Sequence, residues 1–147
     1  MIRKLRSMSV ACILAVLAAG CGAGGPSLVE AEGTVTGPDG KPLANVMVQF
    51  TPVDSGGAKV VSSTGVTDAA GKFVLKADTG GIGALAGTHK VTLVDNAVAE
   101  VPDEDLGKKR IKAVNRIDAD YGSPTTTPLE VTVEAGKTHE LKVERKK

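Results

Sequence analysis

The chain has 147 residues and carries 18 Lys and Arg against 17 Asp and Glu, so it has almost no net charge. Proteins that bind nucleic acid concentrate positive charge, so this balance argues against nucleic acid as a partner. The length suits a single domain. With two Phe, one Tyr and no Trp, its core must be built from Val, Leu, Ile and Ala.

The first 20 residues have the pattern of an export signal. Arg3, Lys4 and Arg6 form a basic start, and residues 8–19 are almost entirely apolar. This apolar run is shorter than the about 20 residues that a membrane-spanning helix needs. Its length and flanks are typical of a signal peptide, so residues 1–20 are predicted to be removed.

The apolar run ends in Leu17-Ala18-Ala19-Gly20-Cys21. This ending resembles the lipobox of bacterial lipoproteins, in which the cysteine thiol is acylated and the chain is cut just before it. Leu usually stands three residues before the cysteine, whereas here that position holds Ala18. The resemblance implies that Cys21 carries lipid and holds the mature chain to a membrane. The alternative is an ordinary secretory signal followed by an incidental Cys21.

Residues 21–28 predict a flexible tether, because four of the residues from 22 to 27 are Gly or Pro and the rest are small. Gly22 after the cysteine, rather than Asp, favours the outer membrane over the inner one. The predicted location is therefore a cell membrane or outer membrane, facing the periplasm or the exterior. Cys12 leaves with the signal, so Cys21 is the single mature cysteine and an intrachain disulfide is excluded.

Residues 29–147 carry apolar residues at period two, which is the signature of β-strands. Val46, Val48 and Phe50, for example, alternate with polar residues. Gly-containing turns are predicted at residues 37–41, 68–72 and 135–137. The pattern predicts an all-β fold, a seven-stranded antiparallel β-sandwich. Its strands are expected at residues 29–35, 46–50, 60–67, 73–77, 91–93, 129–133 and 141–143.

Residues 95–127 break the alternation. Pro102 and the acids that follow it are typical of a helix start, and Ile111, Val114 and Ile117 form a partial apolar stripe. We predict one long connection here, a short helix or an irregular loop, lying over an edge of the sandwich. Connections of this length are unusual inside a compact domain, so a function is most expected in this segment.

Four segments resemble the carboxypeptidase regulatory-like domain, namely residues 33–35, 39–46, 65–73 and 87–91. The most specific stretch is Thr-Asp-Ala-Ala-Gly-Lys-Phe at residues 67–73, and the match covers about residues 30–94. Residues 121–129 are similar to the ending of short lipoproteins of this type, which closes with a last hairpin. The resemblance implies a transthyretin-like sandwich of prealbumin or Ig-like type, an envelope location and no established catalytic role.

The acidic residues do not predict a metal site. Asp95, Glu100 and the acids of residues 103–105 lack the spacing of a calcium loop, so a solvated acidic turn is the prediction. The same holds for Asp118 and Asp120. His89 and His139 lack the neighbouring Cys or His that a zinc site needs, and they are predicted to be ordinary residues at strand ends.

Catalytic signatures are equally scarce, because the chain contains no Gly-x-Ser-x-Gly elbow. One enzyme of the transthyretin-like fold, the hydroxyisourate hydrolase, ends in Tyr-Arg-Gly-Ser with catalytic His and Arg. Here residues 121–123 are Tyr-Gly-Ser and are not terminal. We therefore predict no catalytic residues, no cofactor and no metal. Tyr121 is expected to pack onto the sandwich with its hydroxyl bonded to the backbone.

The basic run of Lys108, Lys109, Arg110 and Lys112 could contact anionic lipid or acidic glycans, or form a helix face balanced by the adjacent acids. The predicted function is that of a membrane-anchored envelope lipoprotein acting as a non-catalytic binding or structural module. An envelope protein or polysaccharide would contact residues 95–127 or an edge strand. The alternatives are a carbohydrate or small-molecule binder with a groove near residues 80–87, disfavoured by the scarcity of aromatic side chains, and a hydrolase.

Overall fold

A computed structural model of the protein describes residues 27–54, 60–103 and 108–145. The predicted signal of residues 1–20 and the predicted lipidation site Cys21 lie outside these ranges. The described residues form β-strands in four sheets and one short 3-10 helix at Ala119–Gly122. The fold is therefore all-β, as predicted. The strands are β1 Leu28–Val29, β2 Glu32–Thr36, β3 Val46–Pro52, β4 Ser63–Val66, β5 Lys72–Val74, β6 Lys76–Ala77, β7 Ala84–Leu85, β8 Gly87–Asp95, β9 Val98–Asp103, β10 Lys108–Ala113, β11 Glu130–Val133 and β12 Thr138–Lys142.

Two of the sheets pack on each other as a sandwich. One has five strands in the order β11-β8-β3-β4-β6, and the other has three in the order β12-β2-β5. Val48 and Phe50 of the larger sheet and Val35, Phe73 and Leu141 of the smaller one belong to a single buried cluster. Burial of these apolar faces is the main favourable contribution to folding.

The period-two alternation correctly predicted which side chains are buried. Val46, Val48 and Phe50 of β3 are fully buried, while Met47 and Gln49 between them are partly exposed. Successive side chains of a strand point to opposite faces, so a slip of one residue would expose all three apolar side chains. The hydrophobic pattern therefore fixes the register of β3 against its neighbours.

The prediction of seven strands, all antiparallel, is wrong in two respects. The described residues form twelve strands, and β12 pairs with β2 in parallel, from Thr138 opposite Glu32 to Lys142 opposite Thr36. Each of the three predicted turns, including that of the expected last hairpin, joins strands of different sheets. Because the turn after β11 carries the chain across to the smaller sheet at the end where β2 begins, β12 runs in the same direction as β2.

The prediction of a helix that starts at Pro102 and runs toward Ile117 is also wrong, and the 3-10 helix at Ala119–Gly122 lies after that stretch. β9 and β10 form an antiparallel hairpin with six residue pairs, from Lys108 opposite Asp103 to Ala113 opposite Val98. Its strand pairing satisfies backbone groups that a helix would satisfy internally. Ile111 is 72% exposed, so the apolar stripe that suggested a helix is not a buried face. Residues 104–107, which include part of the predicted helix, lie outside the described ranges.

The hairpin and the N-terminal strands lie at opposite ends of the sandwich. β2 begins at Glu32 beside Thr138, and the turn before Thr138 leads back to Val133, which is paired with Gly87 at the start of β8. At the other end, residues 37–45 join the end of β2 to Val46, which is paired with Asp95 at the end of β8. The chain therefore enters the sandwich at one end, which we call the N-terminal end, and extends the β9–β10 hairpin from the other, the hairpin end.

Gly33 allows a close approach between β2, β12 and the core. A Cβ at this position would overlap the carbonyl oxygen of His139 and lie 2.7 Å from a ring carbon of Phe73. Real Cβ contacts are not this short, so only Gly fits without moving β12 or the Phe73 ring. Gly33 faces the interior, where its neighbours are held by the core.

We expect Gly33→Ala to lower the free energy of unfolding by about 1–3 kcal/mol, the usual cost of overpacking a core. Urea unfolding followed by circular dichroism measures this change. Gly122→Ala is the matched control, because a Cβ at Gly122 would meet nothing within 4 Å. Equal stability of the two variants would contradict the close approach at Gly33.

Candidate functional site

The β9–β10 hairpin is separate from the two sheets of the sandwich and carries exposed apolar side chains. Its two strands form a sheet of their own and pair with no other described strand. Val98 is 61% exposed and Ile111 is 72% exposed. Ile111 and Lys112 point to opposite faces of β10, and both are exposed, so neither face of this strand is covered here. The hairpin therefore extends from the sandwich rather than lying over its edge.

An ion pair between Asp95 and Arg116 fixes the base of the hairpin. The Arg116 side chain donates from Nε to Asp95 Oδ2 at 3.0 Å and from Nη2 to Oδ1 at 2.6 Å. Its Nη2 also donates to the Ala44 carbonyl at 2.6 Å, and its backbone N–H donates to Asp95 Oδ2 at 2.9 Å. Two parallel bonds of this kind hold both side chains in one orientation. The two chain segments that flank the hairpin are thereby joined to each other and to the sandwich.

The protonation behaviour of this pair matches its geometry. Burial of Asp95 favours its neutral form, but hydrogen bonds from Arg116 and from the Ala97 amide outweigh that effect and hold the pKa of Asp95 below its ordinary value. The same hydrogen bonds raise the pKa of Arg116. The Asp95 side chain is 5% exposed, against 29% for Arg116. The carboxylate is thus almost enclosed and depends on the arginine for its charge balance.

Asn45 supports the base of the hairpin from the adjacent loop. Its backbone N–H donates to the Thr67 carbonyl, its carbonyl accepts from the Asn96 N–H, and its side chain donates to the Asn96 carbonyl at 3.0 Å. Asn45 has a φ of +59°, a left-handed conformation that Asn tolerates better than most residues. The contacts of Asn45 and Arg116 together hold both strands at the point where they leave the sandwich.

The two histidines lie near the starts of β8 and β12, as the sequence predicts, and both are buried in the core. His89 of the larger sheet is 1% exposed and His139 of the smaller sheet is 4% exposed. Both rings contact Phe50, with centroid separations of 5.9 Å and 5.6 Å. His89 Nδ1 donates to the Gly87 carbonyl at 3.0 Å. Nε2 of each histidine is buried without a hydrogen-bond partner among the described residues.

Both imidazoles are held in the neutral form. Burial lowers the pKa of His89, and the hydrogen bond to Gly87 offsets this only in part. Burial, the positive charge of Lys137 and the neighbouring His89 lower the pKa of His139. Two histidines from opposite sheets therefore share one apolar environment around Phe50, where a positive charge is unfavourable.

The acidic residues predicted to form a solvated turn are separated in the structure. Asp95 pairs with Arg116 at the hairpin base, whereas Asp103 ends β9 in register with Lys108. Asp118 precedes the 3-10 helix, and Asp120 lies inside it. Within the described ranges, no group of three or more His, Cys, Asp and Glu is arranged to hold a metal ion.

The motif residues of the middle segment have structural roles. The Asp68 carboxylate accepts from the Ala70 and Lys72 amides at 2.8 and 2.9 Å, which caps the turn as expected. Gly40 and Gly71 have φ values of +75° and +72°, which few residues other than Gly adopt. Tyr121 is buried, and its hydroxyl accepts from the Glu144 amide at 2.8 Å. The prediction for Tyr121 is confirmed.

The domain surface also carries shallow grooves. One of about 420 Å³ is lined by Ile82, from the Gly-rich stretch predicted to border a groove, together with Glu30, Glu32 and Lys137. All three aromatic residues of the chain, Phe50, Phe73 and Tyr121, are buried. A groove of this kind therefore has no aromatic ring on which a sugar could stack.

Sequence reasoning chose the correct segment but missed its anchoring residue. Arg116 follows the basic run and resembles one more surface cation in the sequence. Its sequence neighbours carry no signal of an ion pair, because its partner Asp95 stands 21 residues earlier. Cys21 and the tether up to residue 26 lie outside the described ranges. In the part of the chain that the structure covers, no helix is both long and apolar enough to cross a membrane.

No protein-family model matches the chain, and comparisons with curated proteins and with solved structures likewise found no match.

Acidification is expected to destabilise the fold through the two histidines. Their pKa values in the folded protein lie below the ordinary 6.5. The stability that the two neutral histidines contribute to the fold is therefore intact above about pH 6.5. It is lost as the pH falls through the pKa values of the folded protein, because the unfolded chain binds protons at a higher pH than the folded chain does. Thermal unfolding at pH 7.5 and pH 5.0 should show a drop in Tm. His89→Gln with His139→Gln should reduce that drop, and an equal drop in both proteins would contradict this role.

Removal of the arginine should leave Asp95 as an almost enclosed and unbalanced charge. We expect Arg116→Ala to lower the free energy of unfolding by about 2–3 kcal/mol. Hydrogen exchange should accelerate at the amides of Asn96, Ala97 and Val114, which lie at the hairpin base. Arg116→Lys should lose less, since it keeps the charge but not the two parallel bonds. Lys142→Ala, at an exposed position, is the control, and a similar loss there would count against the anchoring role.

Proposed function

We propose that this protein is an exported envelope lipoprotein whose β-sandwich is a non-catalytic binding module that presents the β9–β10 hairpin to its partner. The observation that carries this proposal is the position of the hairpin, which extends from the end of the sandwich opposite to the N-terminal strands. A chain held at its N-terminus would therefore keep the hairpin far from its point of attachment. Loops and hairpins on a rigid scaffold are the usual carriers of binding.

The anchor is proposed from the sequence around Cys21. Lipid on this cysteine would hold the chain to a cell membrane or outer membrane, with the domain facing the periplasm or the exterior. Leu28 stands seven positions after Cys21, and an extended chain of that length reaches at most about 25 Å. The N-terminal end of the sandwich would then stay close to the membrane, while β8 places the hairpin a further strand length away.

The domain itself is proposed to be a carboxypeptidase regulatory-like, transthyretin-like domain of prealbumin or Ig-like type. The stretch at residues 67–73 supports this assignment, because its residues make the turn that such a motif requires. Asp68 caps the turn and Gly71 supplies the positive φ. These roles are structural, so the motif is evidence for a fold and leaves function to the exposed surface.

A second candidate function is the binding of a small molecule or a carbohydrate. The groove of about 420 Å³ beside Ile82 supports it, since a cleft of this volume can hold a small ligand. The burial of all aromatic side chains weighs against a sugar. The hairpin is preferred because it combines exposed apolar side chains with an anchored base.

Site-specific photo-crosslinking in cells tests the proposal. A photoreactive residue at Ile111 of the full chain should give a discrete adduct with a partner. The same residue at Val74, which is 54% exposed on β5, is the matched control and should not. Cys21→Ser should remove the protein from the membrane fraction. Adducts of equal yield at both positions, or unchanged membrane fractionation of Cys21→Ser, would overturn the proposal in its binding or its anchoring part.

A further inference from the structure

The outer edge of β10 is open to another strand. β10 pairs with β9 on one side, and no described strand pairs with its other side. The six residues of β10 include no proline, so each retains its backbone N–H. β9, by contrast, contains Pro102, which removes a donor and is typical of a protected edge. Of the two outer edges of the hairpin, β10 therefore offers the more complete set of backbone partners over about 20 Å.

The same edge carries concentrated positive charge. Four of the six residues of β10 are basic. In the register with β9, Lys108 stands opposite Asp103, but Arg110 stands opposite Val101 and Lys112 opposite Ala99. Strand β9 therefore supplies an acidic residue directly across from only one of these three positions. A partner on the open side would meet a strand in which Arg110 and Lys112 stand across from uncharged residues of β9.

These charges determine which strands can add to the edge. Like charges directly opposite each other in a sheet are destabilising, so antiparallel pairing of β10 with β10 of a second copy is unfavourable. Lysines on an edge also discourage uncharged strands from adding to it. A segment with acids at alternate positions would instead gain both backbone hydrogen bonds and opposite-charge pairs. Ile111, between Arg110 and Lys112, offers an exposed apolar contact to the same partner.

We infer that the β10 edge binds an acidic, extended segment of a partner protein by strand addition. This inference rests on the proposed function and names the chemistry of its partner. In this mode the main chain supplies the affinity, and the alternating side chains supply the selectivity. An anionic lipid or polysaccharide would use the same positive charges but would not need the unpaired backbone groups of the edge.

Two peptides separate these possibilities. The probe is a fluorescent seven-residue peptide, Glu-Val-Glu-Val-Glu-Val-Glu. The comparison peptide is identical except that every Val is replaced by Pro. The full chain in detergent should bind the first peptide, as measured by fluorescence anisotropy, and the affinity should fall as salt is added. The second peptide has the same charge but lacks three N–H groups, so it should bind at least about tenfold more weakly.

Variants on the protein provide the second arm of the test. Arg110→Glu with Lys112→Glu should weaken binding of the first peptide by about tenfold or more, because attractive pairs become repulsive ones. Lys142→Glu, an exposed basic residue on the edge strand β12, is the matched control and should leave the affinity within about twofold. Far-ultraviolet circular dichroism shows whether each variant retains its strand content.

Each outcome has one meaning for this inference. Equal affinity for the two peptides would overturn strand addition, because binding would then depend on the negative charge of the peptide and not on its backbone N–H groups. No binding of the first peptide, or binding that the double variant leaves unchanged, would overturn the acidic partner. If Ile111 still forms its crosslinked adduct in either case, the proposed binding function stands and only the chemistry of the partner is wrong. If that adduct is also missing, the proposed function has failed independently.

Discussion

The close packing of the two sheets around Phe50 is the constraint on which the rest of the domain depends. The Phe50 ring lies 6.1 Å from Phe73 of the opposite sheet and contacts both buried histidines. Most of the remaining core consists of aliphatic residues, so the sheets must come close together to exclude water. Positions such as Gly33, where a side chain would push β12 away, follow from that requirement.

The same packing explains why the chain changes sheets so often. β5 and β6 are consecutive strands that separate at Leu75, which is fully buried, and they belong to different sheets. At this edge Gly65 of β4 lies so close to Val74 that a Cβ would meet the Val74 carbonyl. The continuous segment of β5, Leu75 and β6 thus passes from the smaller sheet to the larger one and closes one edge of the sandwich. Strands that cross at the corners can bury an apolar face on both sheets without a long connection.

Local pattern predicted the strands of the sandwich, but it predicted neither their partners nor the β9–β10 hairpin. Each of the seven expected strands overlaps an observed one, because alternation at period two reflects burial of one face and is readable in a short window. Gly71 and Asp68 make the same turn chemistry whether the next strand joins the same sheet or the opposite one, so the corners were mistaken for hairpins. The burial of His89 and the pairing of Arg116 depend on residues distant in sequence, which no local pattern contains.

The β9–β10 hairpin depends both on local strand pairing and on contacts between residues distant in sequence. A two-stranded hairpin is marginally stable by itself, and the described apolar side chains Val98 and Ile111 of β9–β10 are exposed rather than packed on the sandwich. Its order therefore depends on the Asp95–Arg116 pair at the base and on the contacts of Asn45. A third strand on the β10 edge would turn the pair into a three-stranded sheet and stabilise it further. The exposed edge and the rigid base are thus complementary, because the base reduces the entropy lost when a partner strand orders the hairpin.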